Sequence, residues 1–151
     1  MNWESTPESR LVLWRSFRKS LEDHDLLESA RRTAEWWAQV PTLSKISTPW
    51  ATDTWPDPWT LLASGPLDHT LTSVAMAYSL WMVAPLDQRT RVTLGVLNDV
   101  ERRQIILVPV IDNRWLINYN AGELTDMSRL DTGTEMLSSH AYEVFKSRIK
   151  A

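Results

Sequence analysis

The chain of 151 residues contains no cysteine. That absence excludes a disulfide framework, a Cys-ligated zinc, an iron–sulfur cluster and a thiolate nucleophile. Histidine is scarce too. His24, His69 and His140 are the three present, and no two stand at the three-to-five spacing of a metal-ligand pair. No Asp-rich loop of the EF-hand kind is present, so neither a metal nor another cofactor is expected. Glycine numbers four, which leaves little room for an oxyanion nest, and there is no Gly-x-Ser-x-Gly elbow. No apolar run approaches the ~20 residues of a membrane span. The opening Met1-Asn2-Trp3-Glu4 lacks the basic and apolar regions of a signal peptide. Basic excess is also missing: net charge is −3 and the pI about 5.6, which argues against a nucleic-acid partner. One basic stretch, Arg15-Ser16-Phe17-Arg18-Lys19, reads as the solvated face of a helix, with phosphate binding as its alternative.

What is present is an ordinary globular balance, 43% apolar and 23% charged. The length suits one domain with a core large enough to fold without staples. Tryptophan stands out, with nine against two phenylalanines. A core of this size takes about four or five of them, and amphipathic indoles left over favour protein interfaces.

Local signals divide this single domain, residues 1–151, into four parts. In 1–40, Thr6 caps a helix with Pro7 in its first turn, and Leu11, Trp14 and Phe17 recur at helical spacing to about Leu21. Asp23 or Asp25 caps a second helix, about Leu26 to Gln39, carrying Leu27, Ala30, Ala34 and Trp37 on one stripe. The two form a helical hairpin, closed by Pro41. In 41–62, Pro41, Pro49, Pro56 and Pro58 interleave with Trp50, Trp55 and Trp59. Prolines oppose helix and central strand while indoles seek burial, so an ordered wrapping loop is expected.

In 63–120, Asp68 caps a central helix from about His69 to Met82, whose small residues Ser73, Ala75, Ala77 and Ser79 permit close approach to a sheet. After Pro85 the period changes from 3.6 to 2. Arg91 to Leu97 alternates and Asn98-Asp99 offers a turn. Gln104 to Ile111 is nearly continuously apolar, as in a strand buried on both faces. Asp112-Asn113 suits a two-residue hairpin turn, and Trp115 to Tyr119 pairs back. In 121–151, a polar loop from Ala121 to Thr132 precedes helical spacing from Thr134 to Lys150. The fold class is α+β, with a central helix on a three-stranded antiparallel sheet and a C-terminal helix.

A helix followed by three antiparallel strands resembles the core of the transglutaminase-like, papain-related fold. The run Val108-Pro109-Val110-Ile111-Asp112-Asn113-Arg114-Trp115-Leu116-Ile117-Asn118 resembles that family's hairpin of histidine strand and orienter strand. Upstream, Trp36-Trp37 and Trp55-Pro56-Asp57-Pro58-Trp59-Thr60-Leu61-Leu62 resemble small proteins of tailed bacteriophages. The resemblance covers roughly residues 30 to 120. It implies a nucleophile at the amino end of the central helix, near Asp68 or His69, where this chain has no thiol. The histidine position falls near Gln104 to Ile106 and is also unfilled, whereas Asn118 fits the orienter. A thiolate attack is impossible with those roles empty, so the resemblance implies a scaffold whose site is lost.

The resulting expectation is a non-enzymatic structural or assembly protein of a bacteriophage virion, in its tail, baseplate or neck. Its partners would be other virion proteins, with several copies in a larger assembly and the host cytoplasm as the place of assembly. Trp50, Trp55, Pro56, Asp57, Pro58 and Trp59 would be the interface anchors. The alternative is a peptide- or peptidoglycan-directed hydrolase with a non-cysteine site including Asp68 and His69, or a carbohydrate-binding module using exposed indoles. For Asp68-His69 the plainer reading is a helix cap followed by a surface histidine. Ser64 and Ser73 are weaker nucleophile candidates. Asp53 and Asp57 could pair for acid–base work on a sugar, although Asp between prolines usually caps a turn.

Overall fold

A computed structural model describes residues 6–43, 54–130, 133–136 and 143–147, with 133–136 as backbone alone. The helices begin where short polar side chains cap them. Thr6 Oγ1 accepts from Ser9 N–H (3.2 Å) at the start of α1 (Pro7–Ser20). Asp25 accepts from Glu28 N–H (2.8 Å) at the start of α2 (Leu26–Trp37). Asp57 accepts from Thr60 N–H (2.7 Å) at the start of α3 (Pro58–Ala63), and Asp68 from Leu71 N–H (2.8 Å) at the start of α4 (His69–Val83). Each carboxylate or hydroxyl satisfies a first-turn N–H that the helix itself cannot.

Helix α3 corrects the expected wrapping loop. Pro58 does not forbid the helix, because it occupies the first turn, where its missing N–H costs nothing. The same stretch holds the residues expected as interface anchors. Trp55 is 2% exposed inside the core, and Pro58 is buried with it. Pro56 lends its carbonyl to Tyr78 Oη (3.0 Å), Asp57 is a cap, and Trp59 alone of these five is exposed, at 37%. These residues hold this chain's own fold together. Trp50 and Asp53 lie outside the described residues.

Among the described residues the sheet has five strands, not three, in the order β4-β3-β2-β1-β5. These are β1 (Val92–Asp99), β2 (Gln104–Ile111), β3 (Trp115–Ile117), β4 (Leu124–Asp126) and β5 (Gly133–Met136), and every pairing is antiparallel. Two expected turns fare differently. Asn98 and Asp99 lie within β1, paired with Ile105 and Gln104, and the chain reverses at Val100–Arg103 instead. Asp112 and Asn113 do form the turn, both at positive φ (55° and 54°), with Arg114 N–H donating to the Ile111 carbonyl at 3.1 Å. The segment expected as loop, 121–132, contains β4 and a short 3-10 turn, Met127–Arg129. The segment expected as one helix from 134 begins instead as strand β5, and residues 143–147 are helical.

β1 is not half-solvated as its alternation suggests, because both sheet faces are covered. Val92, Leu94, Val96, Leu107, Ile111 and Ile117 join the main core under α4. Leu97, Ile106, Val108, Val110, Leu116 and Tyr119 form a second cluster on the other face, lidded by Met127 and Leu130. α4 is buried along nearly its whole length, from Thr70 to Trp81, packed by α1, α2 and α3 and by β1 and β2 of the sheet, with α2 also reaching β3 and β4. Trp14, Trp37, Trp55 and Trp81 are all 2% exposed or less, matching the capacity expected of such a core. One hydroxyl organises two of them. Ser79 Oγ accepts from Trp14 Nε1 and from Trp37 Nε1, each at 3.0 Å, and donates to the Ala75 carbonyl at 2.9 Å. Among the described residues no helix is long and apolar enough to cross a membrane.

Candidate functional site

The amino end of α4 meets the end of β3. The ladder between β2 and β3 runs only through Ile111↔Trp115 and Val110↔Leu116, beside Pro109, which has no N–H to donate. After Ile117 the backbone turns out of the strand at Asn118, which sits at φ 65°, a conformation that asparagine tolerates better than most residues. That turn aims Asn118 at the first two turns of α4. Its Nδ2 donates to the His69 carbonyl (3.1 Å) and to Ser73 Oγ (2.7 Å). In return its backbone carbonyl receives His69 Nε2 at 2.6 Å. Ser73 Oγ donates to the Leu107 carbonyl (2.6 Å), which fastens the cluster to β2.

This geometry fixes the state of the imidazole. A carbonyl oxygen only accepts, so Nε2 carries the proton and Nδ1 presents a lone pair. Nδ1 is buried and has no hydrogen-bond partner among the described residues. Burial holds the His69 pKa below the ordinary 6.5, with the charge of Arg102 pushing the same way. The hydrogen bond to Asn118 and the charge of Asp68 push against it. The ring is therefore neutral at neutral pH, half-buried rather than on the surface, and able to accept a proton at Nδ1.

Of the residues singled out from the sequence, His69 and Asn118 are brought into direct contact. Asp68 stands next to them, but its Oδ1 is committed to the helix cap, as the plainer reading held. Ser73, considered as a nucleophile, is buried, and its hydroxyl both donates and accepts within the cluster. Ser64 lies at the far end of α3, bonded to the Thr60 carbonyl (2.7 Å). Gln104, at the position implied for a histidine, opens β2 opposite Asp99. Arg102 was not legible as part of this region. It reaches Tyr119 and Asn120, which follow Asn118, and only the β1–β2 reversal brings it there. A cleft of about 380 Å³ opens at the other end of α4, between Glu22, His24, Asp25, Gln88 and Arg91. The Arg91 guanidinium there is bound to Asp112 (2.6 and 2.8 Å).

No protein-family model and no curated protein matches the chain. Solved structures do. Calcium-bound LapG of Legionella pneumophila superposes with a TM-score of 0.74 at 15% identity, over 97% of this chain and 92% of that one. The EGTA-treated form gives 0.70 at 14% identity, over 95% and 88%. A further LapG structure gives 0.71 at 13%, over the same shares. LapG is a transglutaminase-like cysteine protease. The fold is transglutaminase-like.

At these identities the likeness speaks to the fold alone, but it corrects the functional expectation. A virion part in a tail, baseplate or neck finds no support in it, because the architecture matched is that of a peptidase. The expectation of a non-enzyme is likewise at odds with protease neighbours. Calcium is bound by that neighbour. Among the described residues here, no group of three or more His, Asp or Glu could hold a metal ion. The Asp68 carboxylate caps α4 and the Asp99 carboxylate lies beside Arg102.

Proposed function

We propose that this chain is a peptide-directed hydrolase of transglutaminase-like fold, working without a thiol and with His69 as its general base. The observation that carries the reading is the fixed tautomer of His69. Its Nε2–H is held by the Asn118 carbonyl, and its basic Nδ1 is left without a partner, at the amino end of α4, where the family resemblance implies a nucleophile. Nδ1 is shielded from solvent, so the reaction needs a water admitted to the ring along with substrate, and a base in that state suits attack by such a water. His69 Nδ1 takes a proton from water as the oxygen adds to the carbonyl carbon of a peptide bond. When the tetrahedral intermediate collapses, the C–N bond breaks and His69 returns the proton to the departing amine nitrogen. Asn118 stays bonded throughout, since Nε2 keeps its proton in both states of the ring.

The experiment is cleavage of unfolded protein and of cell-wall peptides, followed by mass spectrometry, with wild type, His69→Ala and His69→Gln. Loss of a general base lowers turnover by about 10²- to 10⁴-fold, and both variants are expected to fall that far while staying folded. Turnover equal to wild type in His69→Ala, or no turnover by wild type on any peptide, would overturn the hydrolytic reading.

A further inference from the structure

Arg102 sits in the reversal between β1 and β2, 42% exposed, yet it makes more directed contacts than an exposed arginine ordinarily does. Nη1 donates to the Tyr119 carbonyl at 2.9 Å and Nη2 to Asn120 Oδ1 at 2.6 Å. The guanidinium lies 4.3 Å from the centre of the Tyr119 ring. The backbone N–H of Arg102 donates to Asp99 Oδ1 at 3.4 Å, and Nε stands 3.5 Å from Asp99 Oδ2, a carboxylate wholly shielded from solvent. The planar fork therefore ties the end of β1 to the two residues directly after Asn118. A compact ammonium could not span the same set.

Asn118 is the link that needs holding. It has left the strand ladder, lies in the left-handed region, and presents its carbonyl sideways to His69. With no ladder bond to hold it past Ile117, its carbonyl direction depends on what fixes the peptides on either side. Side-chain bonds to α4 fix one side, and the Arg102 fork fixes the other.

From this we infer that Arg102 is a positioning residue for His69. By clamping Tyr119 and Asn120 it aims the Asn118 carbonyl at Nε2, and so keeps the proton off Nδ1. The inference deepens the reading of His69 as a base, and rests on it for its functional meaning. Its structural content can be tested apart from any activity.

The test is nitrogen-15 NMR of the His69 ring across a pH titration, in the full chain, for wild type, Arg102→Gln and Arg102→Lys. Arg129→Gln, an exposed substitution on the 3-10 turn, serves as control. Wild type is expected to show one neutral tautomer, protonated at Nε2. In Arg102→Gln the Nδ1-protonated tautomer appears. Arg102→Lys keeps the charge and loses the fork, so the mixed tautomer is expected there too. Any cleavage is expected to fall in kcat, not KM, in both variants. If Arg102→Gln does not fold, Asn120→Ala removes one arm of the clamp and is expected to mix the tautomers in the same way. A single Nε2-protonated tautomer in every folded variant would overturn the inference. Mixed tautomers in a chain that cleaves nothing would support it while sinking the hydrolytic reading.

Discussion

At the scale of single residues, small polar side chains in buried places decide more than the charged surface does. Ser79 is the clearest case. On the sequence it is one of several small residues that let α4 approach a sheet, and nothing marks it as an acceptor for two indoles. That role exists only because α1 and α2 both pack against α4, with Trp14 and Trp37 converging there. Leaving buried donors short of an acceptor costs about 1 to 3 kcal/mol each, so Ser79→Ala is expected to lose about 2 to 4 kcal/mol. A urea midpoint measured against wild type checks it. A change below about 0.5 kcal/mol would mean the hydroxyl carries no such burden. Arg10 works similarly: its guanidinium, almost wholly buried, donates to the carbonyls of Leu62 (2.7 Å) and Ala63 (3.1 Å) at the end of α3. By contrast, the Glu28 carboxylate is held down to about 2, mainly by the Arg31 side chain, yet lies at the surface, where solvent and salt weaken such pairs.

At the scale of elements, legibility followed the strength of local chemistry. Thr6, Asp25 and Asp68 were readable as caps because an acceptor before an amphipathic run has one good use. Asp112-Asn113 was readable because few residues accept positive φ in sequence. That turn offers a direct test. Glycine enters the left-handed region without steric cost, so Asn113→Gly is expected to raise stability by about 0.5 kcal/mol and leave the register of β2 and β3 unchanged. Thermal unfolding with backbone NMR would check both, and a loss of stability would show that the Asn113 side chain contributes more than its conformation costs. The misses have physical causes too. β4 is three residues long, too short to show a period, and it forms because Trp115, Leu116 and Ile117 offer it a free edge. Asn98 and Asp99 have turn chemistry, but pairing with Ile105 and Gln104 overrides it. Pro58 was read as a breaker, when Asp57 before it makes the pair a helix start. In the site, Asn118 could be singled out from its strand–turn–strand context, whereas Ser73 as its partner and Arg102 as its support could not. Both depend on contacts between segments far apart in the chain.

At the scale of the whole molecule, His69 couples stability to pH. Its pKa in the fold lies below its unfolded value because burial disfavours the imidazolium, so the unfolded chain takes up the proton first. The contribution is complete above about pH 6.5 and is lost as pH falls through that value toward the folded pKa. Urea unfolding between pH 8 and 5 is expected to show stability dropping on the acid side, with a shallower drop in His69→Gln. Equal slopes would mean the ring is not neutral in the fold. The sheet order carries a different lesson. The connection after β4 crosses from one edge of the sheet to the other, and β5 pairs with Gly95, Val96, Leu97 and Asn98 on the far side of β1. Without it, β1 becomes an edge strand, with unpaired backbone groups beside buried apolar residues. Such an edge is a template for other chains. A protease nick just after Leu130 would therefore do more than shorten the protein. It would bare the β1 edge and let the sheet recruit copies of itself, and the first sign would be self-association and turbidity rather than loss of helix.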